Sequence, residues 1–146
     1  MTKIKENNTC NTNNNNDGNK KRIMIVDDEP DVVSVLKIVL EENGFEVDSF
    51  IDPIAALKNY RTGLYDLLIL DIKMPKMDGF ELHDEIKKID DKAKVCFLTA
   101  SEMYYKKSRR EKYSSLDKDL FIQKPIANED LVAVVYVNFI NIFFCM

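Results

Sequence analysis

Residues 66–70 read DLLIL, an unbroken apolar run behind one acid. A strand without polar alternation has no face to give to water, so it must be covered on both sides. Similar short runs stand at 22–26 (RIMIV) and 94–98 (KVCFL), whereas FEVDSF at 45–50 alternates like an edge strand. Between these runs the period changes. Val32, Val33, Val35, Leu36, Val39 and Leu40 recur at spacings of three and four, with Pro30 suited to a first turn and Asn43-Gly44 to a stop. Asp52 and Pro53 supply a cap and first position for a second helix ending near Arg61, with Gly63 behind it. A third helix is predicted over 79–88, with Phe80, His83 and Ile86 on one side. A polar, basic stretch over 103–114 has helix length, 119–122 reads as a short fifth strand, and Asn128 can cap a last helix. Five strand-helix units in succession ask for an α/β fold: a doubly wound five-stranded parallel sheet with helices on both faces and right-handed crossovers.

The 146 residues suit one domain, and 45% hydrophobic content supplies its core. Acids outnumber bases 25 to 21, a net charge of −4, so nucleic acid is not expected to be a partner of the domain by itself. Cys10, Cys96 and Cys145 lie far apart without a CxxC pair, which weighs against a disulfide framework or zinc site and fits a cytoplasmic location. A single histidine excludes a polyhistidine metal centre. Residues 1–20 lack the apolar stretch of a secretory leader. Eight of residues 1–19 are Asn, too little apolar surface to offset the entropy of ordering; a disordered tail is expected there, and a domain over 20–146.

The chemistry gathers at predicted strand ends. Asp27, Asp28 and Glu29 follow the first strand, Asp71 the third, Thr99 the fourth and Lys124 the fifth. In a parallel sheet these converge at one edge, in the crevice where strand order reverses. Convergent carboxylates raise one another's pKa unless a cation joins them, and an oxygen-only ligand set suits Mg2+ or Mn2+. With a lysine and a hydroxyl beside it, such a set suits a phosphoryl group, and a carboxylate can accept one as an aspartyl phosphate. The four glycines form neither GxxxxGK nor GxGxxG, so no backbone nest for nucleotide phosphates is expected. Taken singly, Asp28 or Thr99 could merely cap a helix, Asp71 could open a loop and Lys124 could be a turn residue. Joint placement at successive strand ends favours a site.

These residues resemble a known family, the receiver domain of two-component response regulators, and are similar to stand-alone chemotaxis-type receivers. The resemblance covers about Lys21 to Val137 and rests on IMIVDDEPD (23–31), LLILDIKMPKMDGFEL (67–82), FLTA (97–100) and FIQKP (121–125). It implies a flavodoxin-like fold with strand order 2-1-3-4-5. It further implies that Asp71 is the phosphoacceptor and Asp28 a direct Mg2+ ligand. Asp27 would reach the ion through water, and the Lys73 backbone carbonyl would be a third protein ligand. Thr99 matches the switch hydroxyl, Lys124 the lysine that grips the phosphoryl group, and Phe121 the aromatic that swings inward. Pro125 matches a proline preceded by a cis bond, and Lys73 and Ser101 match positions that tune phosphoryl lifetime. The donor would be a sensor histidine kinase or phosphotransfer protein, and the output a reshaped face of the fourth helix, fifth strand and fifth helix. A turnover phosphatase would want a second acid two residues past the nucleophile, where Lys73 stands, so an enzyme is not expected. The alternative is a phosphorylation-independent interaction module with the same fold.

Two segments stay open. Residues 103–113 (MYYKKSRREKY) suit a solvated basic face or a contact with an acidic partner or nucleic acid. Residues 131–146 (LVAVVYVNFINIFFCM) are apolar nearly all round, yet they fall short of the roughly 20 residues that span a bilayer and carry Asn138 and Asn141, so no transmembrane span is expected. A homodimer surface, a membrane-touching or frayed terminus, and a core helix followed by a plain tail all fit.

Overall fold

A computed structural model describes residues 20–100, 121–125 and 127–145, with residues 137–145 described by backbone alone. The predicted basic helix over 103–114, Ser101 and the Asn-rich tail lie outside them. The described chain runs β1 (Arg22–Val26), α1 (Pro30–Glu42), β2 (Glu46–Phe50), α2 (Pro53–Asn59), β3 (Leu67–Asp71), α3 (Gly79–Ile89), β4 (Val95–Thr99), β5 (Phe121–Gln123) and α4 (Asn128–Cys145). The sheet is fully parallel, in the order β2-β1-β3-β4-β5. The DLLIL reading is borne out, since every residue of β3 and of β4 is buried.

Strand alternation splits the core into two layers. Ile23, Ile25, Leu67, Ile69, Cys96 and Leu98 point to one side, against Val33, Leu36 and Leu40 of α1 and Leu131 and Val135 of α4. Met24, Val26, Leu68, Leu70, Val95 and Phe97 point to the other, against Ala56 of α2 and Phe80, Leu82 and Ile86 of α3. The strand of lowest polarity therefore sits at the centre, and the alternating β2 takes an edge.

Element ends follow local chemistry. Asp52 accepts the Ile54 N–H at 3.0 Å and Pro53 opens α2. That helix stops at Asn59, short of Arg61, because Tyr60 turns to extended backbone (φ −68°, ψ 138°). Its ring is then buried and its hydroxyl donates to Asp90 Oδ2 at 2.7 Å. Asp78 and Glu81 form a capping box for α3, each side chain accepting from the other's backbone N–H at 2.8 and 2.9 Å. The last helix already includes Asn128 and opens with the Leu131 N–H on the Ala127 carbonyl, so Asn128 lies inside the first turn rather than at its cap. Among the described residues, no helix is long and apolar enough to cross a membrane.

The β3–α3 loop is held tightly. Lys76 has φ 74°, and the Met77 N–H closes onto the Pro75 carbonyl at 2.8 Å, the bonding of a γ-turn centred on Lys76. Gly79 donates to the Ile72 carbonyl at 2.8 Å. A β-carbon on Gly79 would strike the Asp71 carbonyl oxygen, with the Asp71 carbonyl carbon and Ile72 Cα each only 3.0 Å away. Glycine is required here by close approach and not by a positive φ, unlike Gly44 at φ 94°. Gly79→Ala is expected to cost about 2 kcal/mol or more by urea denaturation, because backbone must shift. Gly44→Ala, with open space around it, is expected to cost only about 1 kcal/mol. Equal losses would contradict the packing argument.

Candidate functional site

Asp71 is the last residue of β3 and Thr99 the last of β4, each one position earlier than a loop residue would be. Asp27 and Asp28 follow β1 directly. Register explains why they meet: Val26 pairs with Leu70, and Asp71 pairs with Leu98. Lys124 follows β5, and its backbone N–H donates to the Thr99 carbonyl at 2.7 Å. The Lys124–Pro125 bond is cis. Four neighbouring strands thus end at one edge with their polar residues side by side.

Asp27 is fully buried and Asp71 is 4% exposed, while Asp28 is half-buried. One carboxylate oxygen from each of the three lies within 4.8 Å of the others. The Lys124 ammonium lies 2.7 Å from Asp27 Oδ2, 3.1 Å from Glu29 Oε1 and 3.4 Å from Asp71 Oδ1. Burial works against its charged form, but Asp27, Asp71 and Glu29 outweigh that and raise its pKa. Asp71 answers first to burial, then to the charge of Asp27. Lys124 opposes both, and the carboxyl is still pushed up to about 7.

The Asp27 carboxylate is the best clue to what the cluster can hold. Its Oδ1 accepts the Glu29 N–H at 3.0 Å. Its buried Oδ2 has the Lys124 ammonium at 2.7 Å as its partner. A carboxylate removed from water carries a desolvation cost that one shared ammonium offsets only in part. Three convergent carboxylate oxygens, with one ammonium for several acids, fit a hard divalent cation.

The other expected residues fall as follows. Thr99 is buried, and Phe97 lies two residues back on the same side of β4. Phe121 is already packed inward, 5% exposed, its ring stacked on Phe97 with centroids 5.5 Å apart. Phe97 also meets Phe80 at 4.7 Å and the edge of His83 at 5.6 Å. Lys73 is exposed at the mouth of the β3–α3 loop. Asp28 does not cap α1: the cap position falls on Glu29, whose side chain makes no capping bond. Glu29 is the residue that sequence reasoning passed over. It was visible only as a third acid after β1.

Comparison with known proteins agrees with this geometry. Residues 23–136 match the model of the response regulator receiver domain. The chain is 32% identical over 114 residues to the transcriptional regulatory protein DltR of Streptococcus agalactiae, covering 77% of this chain and 49% of DltR. It is 34% identical over 114 residues to PrrA of Mycobacterium leprae, covering 77% of this chain and 47% of PrrA. The chain thus spans about half the length of the curated relatives it matches. Among solved structures it is similar to response regulator TrrA of Thermotoga maritima in complex with Mg2+ and BeF, with 37% identity and TM-score 0.66, over 80% of this chain and 96% of TrrA. It is also similar to a chain of the CheX-CheY-BeF3-Mg complex of Borrelia burgdorferi, with 28% identity and TM-score 0.65, over 82% of this chain and 89% of that one. A sheet order, an acid-lysine edge and a family match that covers nearly all the described residues lead to one assignment: the chain belongs to the response regulator receiver domain family.

Proposed function

We propose that the chain is a phosphorylation-dependent signalling switch in which Asp71 accepts a phosphoryl group from a histidine kinase or phosphotransfer protein. The observation that carries the reading is the convergence of Asp27, Asp28 and Asp71 with Lys124 at the carboxyl edge of the sheet. A carboxylate oxygen of Asp71 attacks phosphorus as the P–N bond of a phosphohistidine breaks. The departing imidazole nitrogen keeps the bonding pair and takes up a proton, leaving an acyl phosphate. Asp71 must be ionised to attack, and its elevated pKa sets that requirement against its burial.

Asp28, Asp71 and the Lys73 carbonyl would hold Mg2+ directly, and Asp27 through water. The ion, or Mn2+ in its place, would supply the positive charge that favours ionised Asp71 and neutralises phosphoryl oxygens. Lys124 would then turn from carboxylate to phosphoryl partner, and the Thr99 hydroxyl would donate to a further oxygen. A Thr99 movement reaches Phe121 through the shared β4 face and the Phe97 stack, which supports a switch read out on the side of β5 and α4. Lys73 and Ser101 would tune the lifetime of the acyl phosphate. No turnover of external substrates is called for. Homodimerisation through the β5–α4 side is the proposed consequence, with a cytoplasmic location.

Two outcomes test the reading. With acetyl phosphate and Mg2+, intact-mass measurement should add one phosphoryl group to the wild type and none to Asp71→Asn. An equal gain in the variant places the chemistry elsewhere. No gain in either, with beryllofluoride leaving the oligomeric state unchanged, favours the phosphorylation-independent module. The second test is pH. Asp71 holds its proton more tightly folded than unfolded, so its contribution to stability is complete below about pH 4 and is lost as pH rises through about 7. In chelator, Asp71→Asn should therefore exceed the wild type in urea resistance at pH 8, by on the order of 2 kcal/mol, and lose that advantage near pH 4. A gap independent of pH would refute the assignment.

A further inference from the structure

Glu29 stands at the cap position of α1 with extended backbone (φ −97°, ψ 107°), yet its side chain bonds to none of the helix N–H groups. Its Oε1 instead accepts from the Lys124 ammonium at 3.1 Å, and its own N–H donates to Asp27 Oδ1 at 3.0 Å. The residue is tied to the carboxylate cluster at both ends while its side chain is 62% exposed. The other ion partners of Lys124 among the described residues are Asp27 and Asp71, two of the three acids that can hold a cation. Ammonium and divalent ion therefore contend for the same two carboxylates, at distances where like charges repel strongly.

Resting on the receiver reading above, the geometry points to Glu29 as a positioning residue. Its carboxylate gives the Lys124 ammonium a seat at the solvent rim, so that a divalent cation and the lysine share the cluster instead of competing for it. Lys124 can then yield Asp27 Oδ2 to a water of the incoming ion without leaving reach of Asp71. Neither family membership nor the acidic cluster alone assigns this task to Glu29. A side chain serving as the cap of α1 would bond its N–H groups, and this one does not.

Charge and reach separate cleanly at this position. Glu29→Gln removes the charge. Glu29→Asp keeps the charge but shortens the side chain, and it places at the cap a residue that favours bonding the helix N–H groups. The test is Mg2+ titration by calorimetry of the full chain, for wild type, both variants and each combined with Lys124→Met, alongside thermal midpoints. Glu29→Gln should weaken Mg2+ binding about threefold, the scale of a largely exposed ion pair. Glu29→Asp should weaken it similarly while raising the thermal midpoint, an opposition that a purely structural role would not produce. In the Lys124→Met background the Glu29→Gln effect should vanish. Wild-type binding that is lost in Asp28→Asn but kept in full by Glu29→Asp, or a Glu29→Gln loss that persists without Lys124, overturns this proposal alone. No Mg2+ binding by wild type, or undiminished binding by Asp28→Asn, overturns the site reading and this proposal with it.

Discussion

One ammonium among four carboxylates governs this molecule. Lys124 lies within 3.4 Å of Asp27, Glu29 and Asp71, with Asp28 beside them. Two of those acids are almost wholly removed from water. Taking charge out of water is costly, and a single cation cannot balance the set. The imbalance surfaces as the elevated pKa of Asp71. Charge deficit, not charge satisfaction, is what the edge of the sheet has been built to hold.

The apolar body exists to keep that deficit in place. A fully parallel sheet delivers the carboxyl ends of β1, β3, β4 and β5 to one edge, and both faces are sealed by helices. The two layers also differ in character. The α1–α4 side is mainly aliphatic, with Phe45 and Tyr136 in ring contact at 5.5 Å, whereas the α2–α3 side carries Phe80, Phe97 and Phe121 in ring contact. Under the proposed switch, the Phe97–Phe121 stack beside Thr99 would carry a change onward.

Much of this was legible in the sequence, for identifiable reasons. Apolar runs and period changes fixed the order of elements, and strand-end acids fixed the site, because both depend on local chemistry repeated at regular spacing. Asp52 with Pro53 declared its helix start openly. The D-x-x-E pattern at 78–81 was equally visible as a capping box but went unread. The early end of α2 was not legible, since it depends on Tyr60 meeting Asp90, thirty residues away. Glu29 was hidden for the same reason: its partner Lys124 lies 95 positions along the chain. Gly79 looked like a turn glycine, and only the packed loop shows that it is there to let two backbones touch.

That backbone contact shapes how force can travel. The first residue of α3 rests on the peptide of Asp71, and the γ-turn at Lys76 closes the loop between them. Asp71 is therefore bolted to a helix and has no slack along the strand axis. New bulk attached to its carboxylate cannot be absorbed by recoil of its own main chain. Under the proposed phosphorylation, displacement would be taken up by the side chains across the crevice, with Asp71 the anvil and the neighbouring strand ends the moving parts.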